Sequence, residues 1–525
     1  MTTRATAMAT SARPSASSTT TRATAAAAAR ATPTPMRRRS VSSSSRASAS
    51  SSSTRVSASA TTDDARTSED FQALFAWLAQ THGVDCSKVS AARDDVTGWG
   101  LRARKDLGVN ECALSVPRAA WMTVDKAKAD GEIGAALSDE TYNLASWTTL
   151  ALYVLKERER GDGAKFAAYA KTLPSALDAP LFWSADELAM IAGTQLLDNA
   201  AGYDAYIRQV YDDLSRDFFV KYADVFDVNA TFDEASFRWA FGILRSRALP
   251  PCEGANIALI PGLDLVNHSS LSSAKWSTTG GIVGAVSGLF GRGGDNAAMR
   301  VDVDRAVKTG EPIYVNYAPQ GIDSQFALDF GFVDAITPSP GYALTLSIPE
   351  EDPNCFDKLD VLDVCGVGEN PTFVLRAYQD PDPELRTFLR LLNCKGHDAF
   401  LLEALFRQSC WQLISDPLSA ENEADCCASM TSGVAGALAG YETRTLDEEK
   451  NALMQVPGSL SRREDIAVRV RLGEKSALIE TASFFDVIAS RLDKLEYYQE
   501  RRLRSLNLLD EDGSSTYDPF KETMA

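Results

Sequence analysis

Asn267 and His268 stand side by side in an otherwise apolar stretch, "IPGLDLVNHSS" at residues 260–270. The chain has only three histidines, and a histidine in such a stretch can bind a ligand, carry a proton or fill a core position. Taken alone, the pair favours a buried histidine with one hydrogen-bond partner, because a single Asn-His pair has no ligand spacing. A binding role for the pair needs support from residues elsewhere in the chain.

The cysteines and histidines do not form a metal-binding pattern. The nine cysteines include no C-x-x-C pair, and with three histidines no zinc constellation assembles. Such cysteines are typical of reduced, mostly buried thiols. The sequence therefore predicts no metal site.

Two further stretches supply the support that the Asn-His pair needs. They are "GWGL" at 98–101 and "GEPIYVNYAPQGIDSQFALDFGFVD" at 310–334, and the Asn-His segment itself is preceded by "RSR" at 245–247. Together these motifs resemble the SET-domain lysine methyltransferases of the plant Rubisco large-subunit methyltransferase class. The similarity runs from about Ser68 to Leu509 and includes the stretches "WAFGILRSRA", "KLDV", "DAFLLEALFR" and "LDKLEYYQERRL".

The resemblance implies S-adenosylmethionine as the cofactor and assigns four residues to it. Gly98 and Trp99 would hold its methionine end through main-chain groups, since glycines let the backbone pass close to a ligand. Asn267 and His268 would contact the adenine, chiefly through main-chain hydrogen bonds. A hairpin turn that needs glycine would explain Gly98 equally well, and both roles are compatible.

The same resemblance places Tyr317 at the reacting centre, with its hydroxyl beside the cofactor's sulfonium and the incoming lysine amine. The main-chain carbonyls around Ser246, Arg247 and Asp264 would accept hydrogen bonds from that amine. Two alternatives remain open from the residues alone. Tyr317 fits a half-buried strand aromatic that shares a face with Val315, and Arg247 fits a structural ion pair.

The expected lysine channel differs from the family pattern. Phe330 stands where relatives carry a tyrosine, and a basic residue is replaced near Pro251 in "ALPPC". Trp276 is a candidate aromatic of the channel, with a packed surface tryptophan as the alternative. These departures motivate a second hypothesis, a non-catalytic SET-fold protein-binding module.

The pattern of elements around these motifs predicts an α+β protein. A β segment containing a pair of short strands around a turn near 98–117 precedes helices at about 121–238. β-like runs return from 256 to 320, and the chain is helical after about Pro338. We expect a SET-type small-sheet domain at 68–335 with that helical insertion, and an all-α substrate-binding domain at 340–510. Leu492, Leu495, Leu503 and Leu506, at near-heptad spacing, predict a helix seam.

Composition indicates the compartment and the partners. Residues 1–62 are rich in serine, threonine and alanine and carry nine arginines with no acidic residue, which is typical of a chloroplast transit peptide; a disordered basic tail is the alternative. The remaining chain has a net charge of −18 − 9 = −27, which disfavours nucleic acid and suits a lysine-bearing protein surface.

No stretch approaches the roughly 18 apolar residues of a membrane span, so we expect no membrane anchor. By the resemblance, the expected partners are the Rubisco large subunit and possibly fructose-bisphosphate aldolase, in the chloroplast stroma. Residues 511–525 are expected to form a tail.

Overall fold

The computed structural model describes residues 65–94, 96–248, 257–279, 297–441, 445–454 and 460–509. The predicted transit peptide at 1–62, the tail at 511–525 and Pro251 lie outside the described residues. Within the described ranges, no helix is long and apolar enough to cross a membrane.

Among the described residues up to Val315, nine short strands form four small sheets. They are β1 Val89–Asp94, β2 Gly98–Ala103, β3 Cys112–Pro117, β4 Met122–Thr123, β5 Ala258–Leu259, β6 Asn267–His268, β7 Ala274–Thr279, β8 Ala298–Val303 and β9 Tyr314–Val315. β1 pairs with β2, β4 with β5, and β8 lies between β3 and β7, all antiparallel, whereas β6 and β9 are parallel. Strands from before and after the helical insertion thus share sheets.

The two strands expected around a turn at 98–117 both exist, but they do not pair with each other. β2 pairs with β1, in register Ala92 to Gly100, and β3 pairs with β8, in register Val116 to Met299. The interpretation as one strand pair was wrong because alternation predicts strands, whereas the pairing partner depends on tertiary packing.

Helices fill the region between the two groups of strands. After α1 Ser68–His82 they are α2 Val124–Lys128, α3 Gly134–Leu137, α4 Ser146–Arg160, α5 Ala167–Ala170, α6 Ala185–Ala189, α7 Gln195–Asp213, α8 Phe219–Lys221 and α9 Glu234–Arg247. α9 begins at the N-cap Asp233, whose carboxylate accepts from the backbone N–H of Ser236. It extends past the predicted end of the insertion and delivers Arg247 at its last position. One apolar core joins these helices to the sheets.

The remainder of the chain is mainly helical. Its elements are α10 Asp323–Phe330, β10 Gly341–Thr345, α11 Cys355–Val364, β11 Thr372–Arg376, α12 Pro383–Leu392, α13 Phe400–Gln408, α14 Ala420–Ala439, α15 Leu446–Met454, α16 Arg462–Ala489 and α17 Tyr498–Ser505. β10 and β11 form a two-stranded antiparallel sheet. The α+β class is therefore confirmed, but the expectation of an all-α second domain missed this sheet, whose strands are only five residues each.

The predicted leucine seam near the end of the chain is wrong. α16 stops at Ala489, a 3-10 turn covers Leu492–Lys494, and α17 buries none of its residues. Leu506 is 57% exposed. Near-heptad spacing requires one continuous helix to align its leucines, and the break after Ala489 removes that alignment.

A small apolar cluster joins the helical insertion to the C-terminal helices. Its buried members come from the insertion, from α10 and from α16, and include Trp183, Leu196, Leu328, Ile466 and Val470. The insertion and the C-terminal helices are therefore packed together on α10, the helix that ends at Phe330.

Candidate active site

The parallel pairing of β6 with β9 brings the Asn-His segment next to the segment that carries Tyr317. Asn267 is in register with Tyr314, and His268 with Val315. β9 ends at Val315, so Tyr317 lies two residues beyond the strand. The alternative that Tyr317 is a strand aromatic on the same face as Val315 is therefore wrong. The backbone N–H of Tyr317 instead donates to Nδ1 of His268 at 3.1 Å.

Asn267 joins this segment to the glycine turn of β2. Its amide Nδ2 donates to the carbonyls of Trp99 at 3.3 Å and Thr97 at 3.4 Å. A Cβ on Gly100 would lie 2.5 Å from that nitrogen, so only glycine leaves room for it. Gly98 has a φ of +71° and open space around it, so it serves the turn itself.

A small cavity opens at the same place. Gly98, Gly100, Asn267 and Tyr314 are among the residues that line it. The three sequence motifs thus meet around one small cavity.

His268 is a buried and neutral histidine. Burial lowers its pKa to about 4, against a smaller opposing effect of Asp334. Because Nδ1 accepts the Tyr317 N–H, the proton of the neutral ring is on Nε2. Nε2 has no hydrogen-bond partner within the described ranges and lies 4.0 Å from the Asp334 carboxylate.

Tyr317 points its hydroxyl at a backbone carbonyl rather than at another side chain. The hydroxyl donates to the carbonyl of Val266 at 2.6 Å. Burial raises the phenol's pKa well above its usual value, with smaller effects of Arg247 and Asp264. Tyr317 therefore remains a protonated hydrogen-bond donor.

An aromatic cluster surrounds Tyr317. The Phe330 ring centroid is 4.8 Å from that of Tyr317, and the His268 centroid is at 5.3 Å. Phe326 and Phe332 complete the cluster, at 4.6 and 5.5 Å from the His268 ring. Neither Phe326 nor Phe332 was predicted as a site residue, although both belong to the quoted "FALDFGF" run, because nothing in that run distinguishes them from ordinary core aromatics.

Arg247 and Asp264 form a buried ion pair beside Tyr317. Nη1 of Arg247 is 2.9 Å from Oδ2 of Asp264 and also donates to the Asp264 carbonyl at 3.3 Å. The hydroxyl of Tyr169 donates to the same Oδ2 at 2.9 Å. The structure thus contains the ion pair that was the alternative for the Arg247 side chain. This pair lies close to the proposed reacting centre.

Ser246 and Trp276 make less direct contributions. The Ser246 hydroxyl donates to the Gly242 carbonyl at 2.8 Å, within α9. The main-chain carbonyl of Ser246 lies in the last turn of that helix. Trp276 lies on β7, opposite Val301, and packs against the N-terminal core. In the described part of the chain, its ring is not among those that contact Tyr317.

These residues fit an S-adenosylmethionine molecule. There is open space beside Gly98, and two buried donors, Nε1 of Trp99 and Nε2 of His268, have no partner within the described ranges. The described residues contain no group of three potential metal ligands.

Comparisons with known proteins agree with this geometry. Residues 349–478 match the family model described as Rubisco LSMT substrate-binding. The chloroplastic Rubisco large-subunit N-methyltransferase of Nicotiana tabacum is 34% identical over 86% of this chain and 88% of its own. The chain belongs to the Rubisco large-subunit methyltransferase family.

Two further comparisons extend the family assignment. The chloroplastic fructose-bisphosphate aldolase-lysine N-methyltransferase of Arabidopsis thaliana is 34% identical over 85% of this chain and 89% of its own. The crystal structure of the SET domain of LSMT bound to lysine and AdoHcy matches with a TM-score of 0.71 and 33% identity, covering 87% of this chain and 99% of that one. The SET fold of this family member is therefore the fold expected from the sequence.

Proposed function

We propose that this protein is an S-adenosylmethionine-dependent protein-lysine N-methyltransferase of the chloroplast stroma. Its proposed substrates are the Rubisco large subunit, fructose-bisphosphate aldolase, or both. One observation carries the proposal: the glycine turn, the Asn267-His268 pair and Tyr317 meet at a single site. The names of the relatives supply the substrates, the lysine acceptor and the compartment.

The cofactor supplies an electrophilic methyl group on a sulfonium cation. The main chain of Gly98 and Trp99, with Asn267 and His268, would bind it. A neutral His268 suits this site because it adds no positive charge where a cationic cofactor would bind.

The acceptor lysine must lose a proton before it can attack. A free lysine of pKa about 10.4 costs roughly 4.6 kcal/mol to deprotonate at pH 7. The aromatic cluster of His268, Tyr317, Phe326, Phe330 and Phe332 lowers that cost, because an apolar channel destabilises the ammonium form. A dedicated general base is not required.

Hydrogen-bond acceptors can then orient the neutral amine. The carbonyls of Asp264 and Val266 lie at the turn that Tyr317 contacts, and Tyr317 keeps its proton. We assign Tyr317 to aligning the reacting groups with its protonated hydroxyl, with no role as a base. Trp276 and Phe330 are assigned to the channel, and the carbonyls of Ser246 and Arg247 to its amine end.

The second candidate, a non-catalytic binding module, is motivated by Phe330. Removal of one channel hydroxyl leaves Tyr317, Asn267 and His268 in place, so the methyl-transfer machinery is complete and the enzyme is favoured.

The test incubates the protein, lacking residues 1–62, with methyl-labelled S-adenosylmethionine and a stromal extract. We expect a labelled band that is identified as aldolase or the Rubisco large subunit, and a labelling rate at least about tenfold lower with the Tyr317→Phe variant. Cofactor binding by calorimetry without any labelled protein would favour the binding module instead.

A further inference from the structure

Tyr169 is a fully buried tyrosine that the sequence did not single out. It lies on α5 in the helical insertion and is 0% exposed. Its backbone is held in place because its carbonyl accepts the Thr172 hydroxyl at 2.7 Å. Its own hydroxyl reaches out of the insertion to Oδ2 of Asp264, at 2.9 Å.

The Asp264 carboxylate receives three donors in a site without solvent access. Oδ2 accepts from Tyr169 and from Arg247, both at 2.9 Å, and Oδ1 accepts from the Gly262 N–H at 3.2 Å. The Asp264 side chain is 0% exposed. Water cannot replace a missing donor there, so each of the three hydrogen bonds helps to fix the position of the Asp264 carboxylate.

That carboxylate lies within a tight turn at 262–266, and the last residue of the turn accepts a hydrogen bond from Tyr317. Gly262 has a φ of +84°, and a 3-10 turn follows at Leu263–Leu265. The next residue, Val266, offers its carbonyl to the Tyr317 hydroxyl at 2.6 Å. A shift of Asp264 would therefore move the carbonyl that orients Tyr317.

We propose that Tyr169 is a positioning residue for methyl transfer: its hydroxyl fixes Asp264, and through the turn at 262–266 it sets the orientation of the Tyr317 hydroxyl. The inference rests on the proposed function of Tyr317. With this role for Tyr169, the helical insertion contributes to the reaction, although its sequence contains no motif that predicts such a contribution. Burial and the Asp264 charge keep the pKa of the Tyr169 phenol well above its usual value, so the hydroxyl donates at any physiological pH.

Tyr169→Phe tests the proposal against a matched control, Tyr153→Phe. Tyr153 is 1% exposed, lies on α4 of the same insertion and packs on Phe166, but is not joined to Asp264 in the described hydrogen bonds. We expect Tyr169→Phe to lower kcat about tenfold, with KM for cofactor and protein substrate within about twofold, because misorientation affects the transition state more than binding. Tyr153→Phe should leave kcat within about twofold of wild type.

A double variant separates positioning from general destabilisation. If Tyr169 acts through Tyr317, then Tyr169→Phe combined with Tyr317→Phe should be no slower than Tyr317→Phe alone. Losses that simply multiply would overturn the proposal, as would a Tyr169→Phe turnover equal to that of Tyr153→Phe.

A spectroscopic readout distinguishes failure of this inference from failure of the proposed function. With tyrosine labelled by ¹³C at Cζ, the Tyr317 resonance is assigned by its loss in Tyr317→Phe. It should shift in Tyr169→Phe and stay in place in Tyr153→Phe. An unshifted resonance overturns the positioning role, whereas a shifted one in a protein that methylates nothing supports the positioning role and rejects the methyltransferase.

Discussion

At the scale of single residues, the site depends on one hydroxyl with a defined partner. Tyr317→Phe removes the bond to Val266 and should lower kcat at least about tenfold while cofactor affinity stays nearly constant, because the hydroxyl acts mainly in the transition state. Turnover assays and calorimetry measure the two quantities. Tyr211→Phe is the matched control, since Tyr211 also donates to a backbone carbonyl, that of Phe232 at 2.9 Å, within the insertion. Wild-type turnover in Tyr317→Phe would remove Tyr317 from the mechanism.

We propose that Phe330 sets how many methyl groups the lysine channel admits. Its ring lies 4.8 Å from that of Tyr317, and a phenyl ring leaves apolar space for a bulkier, less hydrated methylated amine. We expect wild type to proceed readily to trimethyl-lysine, and Phe330→Tyr to shift the products towards mono- and dimethyl-lysine. Mass spectrometry of the modified peptide measures the distribution. A wild type that stops at one methyl, or an unchanged distribution in the variant, would make Phe330 a packing residue only.

Site residues that belong to a motif could be predicted from the sequence. Site residues whose role depends only on tertiary contacts could not. Tyr317, Asn267 and His268 occur in recognisable stretches, and the structure brings them together. Tyr169 occurs in "FAAYAKTLP", where an aromatic at helical spacing looks like any core residue. Its role depends on a hydrogen bond to Asp264, 95 positions further along the chain.

At the scale of elements, the close approach of β2 and β6 builds the cofactor end of the site. Gly100→Ala would place a methyl group 2.5 Å from the Asn267 amide and push that side chain away from the Trp99 carbonyl. We expect S-adenosylmethionine to bind at least about tenfold more weakly, as measured by calorimetry. The control is Gly163→Ala, where the added methyl group meets open space. Equal affinities in the two variants would show that the Asn267 position does not matter for binding.

Local sequence patterns predicted where the strands lie better than they predicted which strands pair with each other. The strands at 98–103 and 112–117 follow from alternation, but their pairing with β1 and β8 depends on segments far away in the chain. The β10–β11 sheet was missed because two five-residue runs inside a helical region carry little signal. The parallel contact of β6 and β9, which assembles the site, is only two residues long and has no local signature.

At the scale of the whole molecule, a buried glutamate joins the C-terminal helices to the insertion. Glu474 on α16 accepts from the Gln195 N–H at the start of α7, at 3.1 Å, and from the Tyr441 hydroxyl at 2.5 Å. Burial raises its pKa to about 8, and the nearby charge of Asp198 adds to the effect. Between about pH 4.5 and 8 the folded protein therefore keeps a proton that the unfolded chain releases.

This proton makes stability depend on pH. Because the folded pKa is the higher one, the contribution of Glu474 to the free energy of unfolding falls as pH rises through that window. Glu474→Gln mimics the protonated form, so its Tm should drop less between pH 6 and pH 8 than that of wild type. Thermal melting at the two pH values measures the difference, with the exposed Glu421→Gln on α14 as control. An identical Tm drop in wild type and Glu474→Gln would show that Glu474 is ionised throughout.

The central claim is that this site transfers a methyl group to a lysine of a chloroplast protein. The most direct measurement is residue-resolved tandem mass spectrometry of purified aldolase and Rubisco large subunit after incubation with the enzyme and S-adenosylmethionine. We expect methylation at a lysine Nε of at least one of them, at a rate at least about tenfold lower with Tyr317→Phe and retained with Tyr211→Phe. Methylation on another type of side chain, or on neither protein by an enzyme that binds the cofactor, would contradict it.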